Sequence, residues 1–478
     1  RLHRDKDGNP VGAYGDFTHI KAPFPISAVK DGKVIHTIWY DGFNGEAEVL
    51  FPSMDYDKLV IDVANNMPDL NRSNNQWHKN GICHRSLPTR LQFLGGLERS
   101  DRRQIFYLPA VAYNHYDKAM LGMAFYSPIA PQRTIEYGLV PMVSLKNFNF
   151  SGIGNIDFNI YPQNDKKWWH KLKISLEGMT FGSGDYRIIS ADSLYQTIES
   201  TPTKYYRLSD QFTLTLRPQS PRSSIRTDLF YRDVLVFHRQ FKDCPDGYNC
   251  TEEGLRKNTY VGEIGVKLNH NRTLNPLSYQ LSVQSDFDRF YVAQTQFKYR
   301  FSFPKKNRGF DIRLYVAAFI KNDTLNPQRL TITDVGRYDY MYDNLYFGRF
   351  ETDGFWKRQI AERNAAFKLP NPFTANRSLL ALNLKTNLPI PFVKLYADAG
   401  YILNHQQFDG DGTRQLLFDT GIYLSIIPNT FEIYLPLFHA KAFKNYFETN
   451  DIKWYEKISF QINLKRLNPL QQVRNFSL

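Results

Sequence analysis

No run of about 18 apolar residues occurs anywhere in the chain, the length a membrane-spanning helix requires. Mean hydropathy is −0.47 over 478 residues, so such a helix is excluded on length and polarity together. A membrane wall made of strands is not excluded, because its water-facing residues keep the average low. Cysteine is scarce, at 3. Cys244 and Cys250 bracket the turn-rich Cys-Pro-Asp-Gly-Tyr-Asn-Cys, which suits a local disulfide in an oxidising compartment and offers too few ligands for a metal. Cys83 lacks an obvious partner. No His-Glu-x-x-His helix is written into these residues, so they hold no zinc-peptidase site. His78, Cys83 and His84 match no standard zinc spacing and read as a solvated linker. Asp409-Gly410-Asp411-Gly412 reads as a hairpin turn more readily than as a calcium loop. Nothing groups Ser, His and Asp as a hydrolase site, and no cofactor is expected in these residues.

What the chain does have is aromatic residues and alternation. Phe and Tyr number 36 and 30. Ile156, Phe158 and Ile160 alternate with Asp157 and Asn159, and Leu172, Ile174 and Leu176 with Lys171, Lys173 and Ser175. The pattern repeats at Leu277–Gln284, at Phe310–Ile320 and at Leu380–Asn387. Strand side chains alternate with period two, so each segment carries one oily and one wet face. The segments are roughly 9 to 14 residues long, enough for a tilted strand to cross a bilayer. The stretch Tyr455 to Leu464 ends the set, with Ile458, Phe460, Ile462 and Leu464 on one face. It resembles the closing strand of outer-membrane β-barrels.

The predicted fold class is therefore all-β: a transmembrane antiparallel β-barrel of about 16 strands, preceded by a small β-sandwich fragment. Trp168, Trp169, Tyr205, Tyr206, Tyr231, Tyr291, Tyr299 and Trp454 fit interfacial girdles. Short connections alternate with long ones, among them Ser183–Pro202, Phe241–Leu255, Asn322–Ala375 and His439–Trp454. Such barrels keep short turns on the periplasmic side, which places both termini there and the cysteine pair outside. Net charge is +13, with the basic residues scattered and forming no nucleic-acid module, so nucleic acid is not an expected partner. Outer-membrane lipid and lipopolysaccharide phosphate are.

Four regions follow: a periplasmic sandwich fragment over 1–75, a basic connector over 76–103, the barrel over 104–464 and a periplasmic tail over 465–478. In the first, Ile38-Trp39-Tyr40-Asp41-Gly42-Phe43, Leu59-Val60-Ile61-Asp62 and Asp69 through Asn75 resemble the end of the β-sandwich that follows the catalytic domain of M1-family zinc aminopeptidases. The version fused to an outer-membrane barrel in Bacteroidota is the one it looks most like. That resemblance implies zinc in a domain upstream of Arg1, and the chain is expected to be processed or part of something longer. It also implies a membrane anchor and other outer-membrane subunits, such as insertion or secretion machinery, as partners. An anchor for an active zinc aminopeptidase and a diffusion channel are the alternatives.

Asn322–Ala375 is the longest connection, and a loop this long usually has a job. Trp356, Ile360 and Phe367 fall at helical spacing in Gly354–Leu369, which predicts a helix in a plug, a cap or a partner-binding loop. Asp192-Ser193-Leu194 and Asp323-Thr324-Leu325 resemble the O-glycosylation acceptor tripeptide of Bacteroidota, which marks Ser193 and Thr324.

Overall fold

The computed structural model describes residues 2–4, 10–13, 22–43, 49–67, 72–80, 87–96, 102–128, 132–162, 167–192, 195–218, 220, 222–239, 256–304, 308–324, 327–349, 351, 354–388, 390, 392–404, 414–428 and 430–463. Two compact units emerge: Arg1–Leu108 with Phe125–Gln132, and Pro109–Ala124 with Arg133–Leu478.

The first unit holds a four-stranded antiparallel sheet in the order Lys33–Tyr40, Phe24–Lys30, Lys58–Ile61, Gln76–His78. Phe24–Lys30 is central and buried on both faces, which is why Phe-Pro-Ile-Ser-Ala-Val lacks clean alternation. Asp31-Gly32 turns the first hairpin with both residues at positive φ, 49° and 75°, the geometry that matches strand twist. Phe24, Ile26, Phe51, Tyr56, Leu59 and Trp77 make the core. Asp62 is buried, and its carboxylate accepts the N–H groups of Asn66 and Met67 at 3.0 and 2.7 Å.

The large sheet is a closed barrel that runs as a sequential meander. Its strands are β1 (Thr89–Phe93), β2 (Arg103–Asn114), β3 (Lys118–Tyr126), β4 (Ile135–Ser144), β5 (Phe150–Ile160), β6 (Trp169–Asp192), β7 (Tyr195–Leu216), β8 (Ile225–Arg239) and β9 (Arg256–His270). They continue through β10 (Leu277–Ser285), β11 (Phe290–Ser302), β12 (Gly309–Asn322), β13 (Ser378–Asn387), β14 (Val393–Leu403), β15 (Gln415–Ile427), β16 (Phe431–His439) and β17 (Ser459–Ile462). Neighbours from β4 to β17 pair antiparallel, whereas β1 lies parallel to β2. Among the described residues the count is 17 against the expected 16 or so, because the five-residue β1 joins the sheet from within the segment read as a connector.

Alternation sets the two faces. On β13, Leu380 and Leu382 face out while Leu379, Ala381 and Asn383 are buried; on β12, Leu314 and Val316 face out while Arg313 and Tyr315 are buried. Charges therefore collect inside the wall and large apolar side chains outside it. Asp210 and Asp233 interrupt the apolar face: they lie opposite one another across β7 and β8, with the hydroxyls of Tyr231 and Tyr260 donating to Asp233 at 2.9 and 2.7 Å.

Three local expectations are corrected. Ser183–Pro202 is not a loop, for β6 and β7 stay paired out to Asp192 and Tyr195, past an irregularity between Gly182 and Gly184. Its mixed sequence has no sustained period, so alternation could not signal it. His439–Trp454 contains a helix, α1 (Lys441–Thr449), whose Phe443 and Phe447, four residues apart, are buried together. Gly354–Leu369 is not an α-helix; it holds one 3₁₀ turn, Trp356–Arg358, after which Gln359 is extended.

Candidate functional site

Where a long loop is buried, its irregular backbone must find hydrogen-bond partners other than its own neighbours. The connection from β12 to β13 meets this demand in two ways. At its neck, Leu330–Thr331 pairs antiparallel with Thr374–Ala375. Within the fold, the Arg349 guanidinium donates to the carbonyls of Gly336 and Asp339 at 3.2 Å each and Asn344 at 2.5 Å, and to the Asp339 carboxylate at 3.2 Å. It also lies 4.0 Å from the centre of the Tyr342 ring. Arg363 stands 3.3 Å from Asp339 and 3.6 Å from Asp334. Burial pushes the Asp334 carboxyl up against the pull of Arg363.

The folded loop rests on the inner wall. The Asp343 carboxylate accepts from Arg207 of β7 at 2.8 Å and Arg232 of β8 at 2.9 Å, and each arginine also keeps a strand carboxylate, Glu177 at 2.9 Å and Glu263 at 2.7 Å. The Tyr340 hydroxyl donates to Gln284 of β10 at 2.5 Å, and Arg313 of β12 donates to the Asn364 carbonyl at 2.8 Å. The Leu369 N–H donates to Asp419 of β15 at 2.8 Å, and the Ser459 hydroxyl of β17 to the Lys368 carbonyl at 2.5 Å. Strands from β7 to β17 thus grip one loop through inward side chains that alternation had already aimed at it.

A second set of contacts links the loop to both ends of the meander. Tyr113 of β2 lies 5.4 Å from the ring of Trp356, which stands 5.0 Å from Phe347 and 5.3 Å from Phe355. Phe355 stacks on Phe460 of β17 at 4.6 Å with planes 7° apart. Backbone bonds run beside the rings: His115 N–H to the Phe347 carbonyl at 2.6 Å, and Ile360 N–H to the Phe460 carbonyl at 2.8 Å. Gln359 bridges Phe460 in parallel, so the loop takes up a hydrogen-bonding edge of β17.

Two barrels are among the solved structures to which the chain is similar. CdiB from Acinetobacter baumannii is 15% identical over 71% of this chain and 57% of its own length, with a TM-score of 0.36. BamA from Haemophilus ducreyi lacking POTRA domains 1-3 is 12% identical over 70% of this chain and 67% of its own, with a TM-score of 0.40. The chain spans little over half of the first. At these scores neither likeness bears on what the chain binds or does. No family model matches, and no curated protein does.

The residues singled out in the sequence are brought together only in part. Trp356 sits in the aromatic bridge, Ile360 is buried beside Tyr396, Tyr423 and Tyr434, and Phe367 is buried 6.2 Å from Phe443 of α1. The terminal strand is shorter than its alternation predicts, Ser459–Ile462, because Trp454–Lys457 winds into a 3₁₀ turn. Phe460 is buried against the loop, and Ile458 and Ile462 are half-buried. Leu464, Cys244, Cys250 and Ser193 lie outside the described residues. Thr324 is exposed at a bend just past β12. Sequence reasoning passed over Arg349, Asp343 and the group formed by Lys368, Asp398 and Asp419. Their only signal was charge at alternate inward positions and in a long loop.

Proposed function

We propose that this chain is an outer-membrane β-barrel whose bore is closed by its own loop, and that it serves as an anchor and subunit of a larger outer-membrane assembly. The observation that supports it is the loop's grip on the wall through Asp343, Arg207 and Arg232. An open diffusion channel needs a wet bore, whereas here the loop's Ile332, Met341, Phe367 and Leu369 are buried with wall residues in one apolar cluster. The outward leucines and isoleucines face lipid, with lipopolysaccharide phosphate as the anionic partner of the basic surface. Both termini would then be periplasmic, and proteins of the insertion or secretion machinery are the class of partner this role calls for.

The peptidase resemblance of the first 75 or so residues gains no support from the comparisons. It is kept as a finer proposal: a zinc aminopeptidase domain encoded upstream, for which this chain would be the anchor. Reading the open frame ahead of Arg1 for a His-Glu-x-x-His decides it.

Planar-bilayer recording tests the closed bore. The intact chain should be silent, and deletion of 327–373 with a short Gly-Ser linker should give steady conductance. Steady conductance from the intact chain would refute the reading.

A further inference from the structure

On β14 and β15, Asp398 and Asp419 stand directly opposite one another, both facing inward and exposed by only 2% and 1%. The loop lowers Lys368 onto them. Its Nζ lies 3.3 Å from Asp398 Oδ2 and also donates to the Ala366 carbonyl. Backbone donors hold the acids in place: Lys368 N–H to Asp398 Oδ2 at 3.2 Å and Leu369 N–H to Asp419 Oδ2 at 2.8 Å. Asn383 Nδ2 donates to Asp398 Oδ1 at 2.7 Å. That leaves Asp419 Oδ1, which is buried and accepts no hydrogen bond. An unsatisfied buried carboxylate oxygen beside a second carboxylate is costly unless the pair shares a proton.

The surroundings are dry and aromatic. Lys368 is 4% exposed, the Tyr434 ring centre is 5.7 Å from its Nζ, and Phe367, Tyr396 and Phe443 are buried nearby in the same region. Burial lowers the pKa of the Lys368 amine, against the attraction of Asp398. An amine desolvated in this way is a nucleophile, and here its nitrogen is held 3.3 Å from an oxygen of the carboxyl group it would attack.

We propose that Lys368 and Asp398 condense into an intramolecular amide, promoted by Asp419, which bolts the loop covalently to the barrel wall. Nζ hands a proton to the acid pair and attacks Asp398 Cγ. The Nζ–Cγ bond forms as Asp419 protonates one carboxyl oxygen. The Cγ–O bond then breaks and that oxygen leaves as water, carrying two of the three ammonium protons, while the third stays on the amide nitrogen. An ammonium and a carboxylate become an amide and one water, with no oxidant or other reactant. Burial of the three side chains keeps bulk water from the new amide and so slows its hydrolysis. The Lys368–Asp398 contact is that of the two groups before they join. This inference rests on the loop's position and not on the membrane reading.

Mass spectrometry of the full chain purified from its native cells tests it. The intact mass should fall one water below that of the sequence once other modifications are assigned, and digestion should yield a branched peptide joining Lys368 to Asp398. Lys368→Arg, which keeps the charge, and Asp419→Asn, which keeps both reacting groups, should each abolish the branched peptide. Asp398→Asn should keep the link, with ammonia lost in place of water. Ordinary tryptic cleavage after Lys368 in the native chain, with no branched peptide, would overturn the proposal. So would full condensation in Asp419→Asn, since that removes the acid's role.

Discussion

Asp343→Asn tests the closed bore most directly, because it changes one atom type and almost no volume. In the native chain Asp343 accepts one bond from Arg207, at 2.8 Å, and two from Arg232, at 3.0 and 2.9 Å. A hydrogen bond to a charged group contributes about 1.5–3 kcal/mol. The asparagine keeps one acceptor oxygen, and neither arginine is stranded, since Glu177 and Glu263 remain at 2.9 and 2.7 Å. The cost should therefore stay below the ~3–5 kcal/mol seen when a buried charge loses its only partner, at about 3 kcal/mol, the upper figure for charged hydrogen bonds. At about 1.4 kcal/mol per factor of ten, the open loop becomes roughly 100-fold more populated. Hydrogen–deuterium exchange reads this as local opening. The amides of His115 and Ile360, whose acceptors Phe347 and Phe460 lie across the boundary between loop and wall, should exchange roughly 100-fold faster. Amides in the paired parts of β7 and β8 should hold their rates. A gain below about tenfold, or equal acceleration in the strands, would refute the idea that Asp343 pins the loop.

Other outcomes follow from the same geometry. Phe460→Ala removes a buried ring stacked at 4.6 Å on Phe355, and a Phe→Ala change of this kind costs about 3–5 kcal/mol; the heat-induced shift of the folded band on gels should come at lower temperature. If Trp356→Ala lowers it as well and the two effects are not additive, the rings act as one unit. Leu208→Arg places a charge on an outward position that is 55% exposed, and in lipid vesicles it should cost about 2–4 kcal/mol in urea unfolding. No cost would mean that this wall does not face lipid. Gly182→Ala should disturb the β2–β3 turn, because a Cβ there would come within 2.8 Å of the Asp117 carboxylate, which accepts the Gly182 N–H at 2.6 Å. Faster exchange at Gly182 and Tyr116, with β13 unchanged, is the expected signature, and exchange rates like those of the native chain would remove Asp117 from that role.

Residues far apart in sequence obey the same local rule. Leu380, Leu382 and Leu314 face outward, as alternation demanded, because the direction of a strand side chain depends on its place in the strand and little else. The long loop was legible as something with a task, since so much chain between two strands has to be held somewhere. Its helix was not there to be found. Trp356, Ile360 and Phe367 have helical spacing, yet the backbone around them bends through Gly354, Asn364 and Ala366 at positive φ to reach partners on the wall. β1 was missed because five residues parallel to a neighbour leave no period to detect.

The facing of the alternating wall strands was written into the chain itself, because a period of two is a local property that each such segment carries alone. Which inward charge meets which loop residue was decided only in three dimensions. Arg207 and Asp343, or Asp398 and Lys368, lie 136 and 30 residues apart and become neighbours only once the meander closes. A buried charge selects its partner by distance through space, and that distance does not exist until the barrel does.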